Sequence, residues 1–134
     1  MNEKIFNQLR ASDLFKGVDK DLLSEIFNRT KTVLRCYKEG CLVMMRGDKI
    51  EDLLVIVEGQ LSAEIHGMNG KNLRIEVLRP PEPVASGIIF TKNNRLPVSL
   101  YAEKDSDILI IPQAAVLDIC LRSRVFTRNY FREM

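Results

Sequence analysis

The chain has 134 residues, with 20 Lys plus Arg, 18 Asp plus Glu and one His. That length suits one domain with one core and leaves no room for a second of ordinary size. An apolar fraction of 46% beside 28% charged residues excludes disordered and fibrous classes, and a net charge of +2 is too small to make nucleic-acid binding by this chain the expectation.

Residues 2–30 read as helical. Ile5, Leu9, Leu14 and Phe15 come first, without the apolar core of a secretory signal. Gly17-Val18-Asp19 then makes a turn, with Asp19 the expected N-cap of a second helix. In that helix Leu22, Leu23, Ile26 and Phe27 form one face.

From 31 to 112 short apolar segments alternate with turn residues, which predicts an all-β roll or sandwich. The expected strands are Thr32–Tyr37, Leu42–Arg46, Leu53–Glu58, Gln60–Ile65, Leu73–Leu78, Val98–Glu103 and Ile108–Ile111. Gly40, Gly47, Gly59 and Gly70 mark the corners, and Asn69-Gly70 is a hairpin signal because both positions tolerate positive φ. Pro80-Pro81-Glu82-Pro83 excludes any central strand there, since proline donates no backbone hydrogen bond. Val84–Phe90 reads as a brief helical turn inside a long loop, the place where a roll would hold a ligand.

Residues 113–134 turn helical again. Phe126, Tyr130, Phe131 and Met134 form an apolar stripe on the last helix, which reads as the start of something longer, as a surface awaiting a partner helix, or as packing on the chain's own roll, and a helix with two faces can do both. No apolar run approaches the roughly 20 residues of a bilayer span, so no membrane association is expected. Three cysteines with no CxxC spacing argue against a zinc site or a disulfide framework and point to a reducing cytoplasm. Cys36 and Cys41 are either a redox pair across a turn or inert packing residues. No set of polar residues resembles a catalytic constellation, so no enzyme is expected.

The order helix, glycine-cornered roll, helix and amphipathic helix resembles the cyclic-nucleotide-binding fold. More narrowly it resembles the effector domain of the Crp/Fnr family of bacterial transcription regulators. The residues that carry this are Leu14-Phe15, Tyr37-Lys38-Glu39-Gly40, Arg46-Gly47-Asp48, Leu54 to Leu61 and Ala102 to Pro112. The resemblance implies a mostly β jelly roll (a double-stranded β-helix) with flanking α-helices. It also implies a sensor domain that controls DNA binding by a longer protein, through a helix-turn-helix that these residues do not contain, and a homodimer joined by a dimerisation helix that begins at the Phe126, Tyr130, Phe131 and Met134 stripe.

In nucleotide-binding members of that family a cassette supplies a Gly-Glu pair and, about ten residues later, an Arg-Ser or Arg-Ala pair that grips the cyclic phosphate. Counting back from Ala102, these positions fall on Ala85-Ser86 and on Leu96-Pro97. Ser86 is too short to replace a carboxylate at the sugar, Leu96 is uncharged, and Pro97 offers no N–H. Arg95 is one position away, and a one-residue shift in a strand reverses the face. Cyclic AMP is therefore not the expected ligand. The expected ligand pocket consists of Val84, Ala85, Ser86, Gly87, Ile88, Phe90, Arg95, Leu96, Pro97 and Val98.

That apolar cassette is similar to the branch of the family that regulates hybrid-cluster-protein genes under nitrosative stress, some of whose members use haem. The resemblance thus offers a small apolar ligand, haem or nitric oxide as the signal. His66 and Met68, two apart in a strand, could share a face as haem ligands, or could be exposed turn residues. A stand-alone cupin-like interaction module is the remaining alternative, although a single His is a poor metal set.

Overall fold

A computed structural model describes residues 3–133. The order is α1 (Glu3–Arg10), α2 (Lys20–Arg29), β1 (Val33–Tyr37), β2 (Leu42–Met44), β3 (Leu53–Glu58), β4 (Leu61–His66), β5 (Asn72–Leu78), β6 (Pro83–Val84), β7 (Ser99–Ala102), β8 (Ser106–Ile111), α3 (Gln113–Arg122) and α4 (Arg124–Glu133). Two four-stranded sheets, ordered β1-β8-β3-β6 and β2-β7-β4-β5, face each other as a roll, and neighbouring strands run antiparallel throughout.

β3 reads Leu-Leu-Val-Ile-Val, all buried, because it is interior in its sheet and α1 lies against it. A strand covered on both faces needs an unbroken apolar run rather than alternation. β4 buries Leu61, Ser62 and Ala63 and turns outward only towards its end, where Glu64 and His66 leave the core. The helices close the same core. Asp19 caps α2 as the sequence predicts, its carboxylate accepting the Asp21 N–H at 3.1 Å. Phe15 and Phe126, both fully buried, pack with ring centroids 5.1 Å apart. Asn129 is buried too, and its Nδ2 donates to the carbonyls of Leu14 (3.0 Å) and Lys16 (2.9 Å), which ties α4 to the segment after α1.

One corner is tighter than the rest. Gly59, between β3 and β4, has φ +98°, and a β-carbon there would lie 2.6 Å from Ser106 Cα. The Ser106 hydroxyl accepts the Gln60 N–H at 3.1 Å and donates to the Lys104 carbonyl at 2.8 Å, so it fastens this turn to the start of β8.

Several expectations are corrected. The exclusion of a central strand at the prolines holds, but the two-residue β6 is not among the expected strands: it lies at the edge of its sheet, where a missing N–H is harmless. β2 stops at Met44 because Met45 and Asp48 close a turn, the Met45 N–H donating to Asp48 Oδ2 at 3.0 Å. In the β4–β5 hairpin Gly70 takes a positive φ but Asn69 does not, and the loop is closed by the Gly67 N–H on the Lys71 carbonyl at 2.7 Å. The apolar stripe of the last helix divides. Phe126 and Tyr130 are buried in the chain's own core, whereas Phe131 is 69% exposed, because adjacent helical residues point about 100° apart. Met134, the fourth member, and Asn2, the first residue of the expected helical region, lie outside the described residues.

Asp105 shows how a turn here depends on charge. Its Oδ1 accepts the Glu39 N–H at 2.9 Å and Oδ2 lies 3.7 Å from Lys38 Nζ. The amide first, and the ammonium after it, hold this carboxyl below its ordinary range. A carboxyl lowered on folding favours the folded state above its ordinary pKa, and that contribution is lost as pH falls through the folded value. Urea titrations of Asp105→Asn are expected to show a lower midpoint than the parent at about pH 7 and an equal one at about pH 2. An equal deficit at both would mean that the carboxylate charge is irrelevant.

Candidate functional site

The segment after β5 forms one wall of a cavity inside the roll. β6 pairs with β3 in the register Leu54↔Val84, and the chain then bends at Ala85, whose φ is +51°. An L-residue rarely accepts this conformation, at a cost of roughly 1–2 kcal/mol, and a glycine would accept it freely. The family's glycine position, counted onto Ala85 from sequence, thus has the backbone of a glycine. Two successive turns follow, with the Ile88 N–H on the Ala85 carbonyl and the Thr91 N–H on the Ile88 carbonyl, both at 3.1 Å. These are turns rather than a regular helix, and Val84 belongs to the strand before them.

The opposite part of the wall is 96–98. The Leu96 N–H donates to the Asp48 carbonyl (2.9 Å), and the Leu96 carbonyl accepts the Gly47 N–H (2.8 Å). Leu96 is buried while Arg95 is exposed and donates to the Gly47 carbonyl at 2.8 Å, the alternation that a one-residue shift predicts.

The cavity has a volume of about 400 Å³. Of the expected pocket residues, Val84, Ala85, Ser86, Gly87, Leu96, Pro97 and Val98 line it, and Ile88, Phe90 and Arg95 do not. Leu78, Ala63 and Leu100 continue the apolar wall, and its charged groups are Glu76, Glu82 and Glu133. No Lys, Arg or His lines it among the described residues. A larger hollow of about 740 Å³ lies outside the roll between α3 and α4, lined by Leu121, Phe131 and four arginines, and it contains none of the cassette.

Two of the lining groups come from places that sequence reading did not connect to the pocket. Glu133 belongs to α4, and Glu76 to β5. Tyr130, also of α4, donates its hydroxyl to the Ser86 carbonyl, and its ring meets that of Phe90 edge-on at 6.0 Å. Burial pushes the Tyr130 hydroxyl up to about 12, so it remains a proton donor across the physiological range. A buried tyrosine seeks a partner for its polar tip, and that was the only sequence signal for this link.

His66 and Met68 stand at the β4–β5 hairpin, exposed and outside the cavity lining, with Met68 fully solvated. They are brought to solvent rather than to a common pocket. Haem needs an axial ligand such as His, Met, Cys or Tyr, and none of these lines the cavity, so the residues present do not fit haem. Cys36 and Cys41 are free, exposed thiols. A hydrogen bond to Asp107, and after it burial, raises the Cys36 thiol above its ordinary range, the opposite of what a reactive thiolate requires. Among the described residues no three His, Cys, Asp or Glu side chains are grouped to hold a metal ion, and no helix is long and apolar enough to cross a membrane.

Comparison with known proteins agrees with this architecture. Residues 34–123 match the family described as cyclic nucleotide-binding domain. A crystal structure of a transcriptional regulator from Thermotoga maritima is 32% identical, covers 83% of this chain and 84% of its own, and superposes with a TM-score of 0.74. The sensor domain of the transcriptional regulator DNR from Pseudomonas aeruginosa is 16% identical, covers 99% and 89%, and reaches a TM-score of 0.82. The catabolite activator protein of Thermus thermophilus, 19% identical with a TM-score of 0.73, is matched over 88% of this chain but only 54% of its own length. Among curated proteins none matches. With a jelly roll, a wall segment bent as the cassette requires and a sequence match over most of its length, this chain belongs to the cyclic nucleotide-binding domain family.

Proposed function

We propose that the chain is the sensor half of a Crp/Fnr-type transcription regulator, that its effector enters the cavity of the roll, and that the effector is not a cyclic nucleotide. The observation that carries this reading is the hydrogen bond from Tyr130 of α4 to the Ser86 carbonyl in the cavity wall. A ligand pressing on Ser86 and Gly87 would move that carbonyl, and α4 would have to follow or lose a buried bond. An unpaired buried carbonyl costs roughly 1–3 kcal/mol, enough to shift a two-state helix position by about 5- to 150-fold. In a homodimer joined through this helix, the shift would alter the spacing of DNA-binding elements carried elsewhere in the regulator.

Exclusion of the nucleotide rests on charge. A cyclic phosphate needs a cation or several N–H donors, and this lining offers three carboxylates, with an uncharged leucine and a proline at the cassette's arginine pair. A haem-linked response to nitric oxide would require an axial ligand that the lining lacks, so the likeness to the nitrosative-stress branch rests on the apolar cassette alone. Calorimetric titration with cyclic AMP and cyclic GMP to millimolar concentration is expected to give no saturable heat. Saturable binding of either, lost in Leu96→Glu, would overturn this reading.

A further inference from the structure

We propose that the cavity accepts an organic cation, an ammonium or comparable positive head on an apolar body. This rests on the reading of the cavity as the effector site and adds the chemical class of what enters it. Glu76, Glu82 and Glu133 come from β5, the approach to β6 and α4, and all three line one space of about 400 Å³. None of the three has an ion-pair partner among the described residues, although seven other ion pairs form across the surface. Glu82 spends one oxygen on the Arg79 N–H at 3.0 Å, and among the described residues no side-chain hydrogen bond occupies Glu76 or Glu133. Three carboxylates around one concave space give it a negative potential, which draws in a cation and opposes an anion.

Ser86 gives an independent indication. It is 7% exposed and lines the cavity, and its hydroxyl has no hydrogen-bond partner among the described residues. Its carbonyl is already engaged by Tyr130, so the free hydroxyl oxygen is the group left to accept an N–H from a ligand. Around it Leu78, Val84, Leu96, Val98 and Leu100 supply the apolar surface for the ligand's body. A volume of about 400 Å³ is within the usual range of small-molecule sites.

The test uses three probes of equal chain length, n-hexylammonium, hexanol and hexanoate, followed by NMR of the cavity methyl groups and the α4 amides. Hexylammonium is expected to saturate the signals of Leu96 and Val98 with a dissociation constant about tenfold below that of hexanol, and hexanoate to leave them unmoved. Raising salt should erase the difference. So should the combined Glu76→Gln, Glu82→Gln and Glu133→Gln variant, whose substitutions fall on exposed residues. Hexanoate binding as well as hexylammonium, a salt-independent preference, or no saturation by the ammonium would overturn the inference. The two readings separate in the α4 amides. Hexanol and hexylammonium binding equally while α4 responds removes the cation and keeps the sensor. Selective ammonium binding with α4 silent keeps the cation and removes the sensor.

Discussion

Gly59→Ala is expected to remove a substantial part of the stability of the fold. The left-handed φ of +98° costs an alanine roughly 1–2 kcal/mol. The new methyl would then meet Ser106 Cα at 2.6 Å, and backbone cannot yield as a flexible side chain can. Moving β8 away breaks the Ser106 hydroxyl's bond to the Gln60 N–H, and leaving this part-buried donor unpaired costs about 1 kcal/mol more, the low end of the range for buried groups. The total, about 2–3 kcal/mol with the steric clash added to it, is a substantial part of the roughly 5–15 kcal/mol typical of domains. Gly47 is the control. It has φ +91° with nothing within 4 Å of where an added methyl would sit, so Gly47→Ala should cost only the conformational part, about 1–2 kcal/mol. Urea unfolding of both variants decides the matter, and equal costs would refute the close approach of the β3–β4 corner to β8.

Phe126→Ala should cost about 3–5 kcal/mol, and Phe131→Ala less than about 0.5 kcal/mol. Both belong to one apolar stripe in sequence. Phe126, however, is fully buried between Phe15 and Tyr130, at centroid distances of 5.1 and 5.9 Å, while Phe131 is 69% exposed. Truncating Phe126 leaves a cavity where the last helix meets the segment between the first two, so the loss should be felt in the whole cooperative transition. Thermal unfolding at two dilute protein concentrations separates this from any effect on association. Comparable losses for the two phenylalanines would show that α4 is not anchored on its own roll.

The fold was legible because its signals are local. Strand lengths, glycine corners and the Asp19 cap each depend on neighbours within a few residues, and the structure places them within a residue or two of expectation. β6 was hidden because two residues carry no periodicity, and its pairing with β3 spans nearly thirty positions of chain. The division of the final stripe was hidden for a related reason. Spacing shows which residues share a helix face, but not where the roll ends and solvent begins.

The site was half legible. The cassette could be counted from Ala102, and the burial of Leu96 beside an outward Arg95 is what that count predicts. Tyr130, Glu76 and Glu133 could not be found this way, because elements far apart in the chain bring them to one space. Of the two readings of His66 and Met68, exposed turn residues is the one that matches their placement, since haem ligands on one face of a strand still need a concave surface beneath them, and a hairpin end provides none.

The left-handed bend at Ala85 has a wider consequence. Since a residue with a β-carbon keeps it, the course of the main chain past the hollow is imposed by its neighbours and not by a permissive amino acid. Chemistry facing inward is therefore free to drift while the scaffold stays put. Under the sensor reading proposed above, one architecture exchanges the molecule it answers to and still transmits the answer through the same lever.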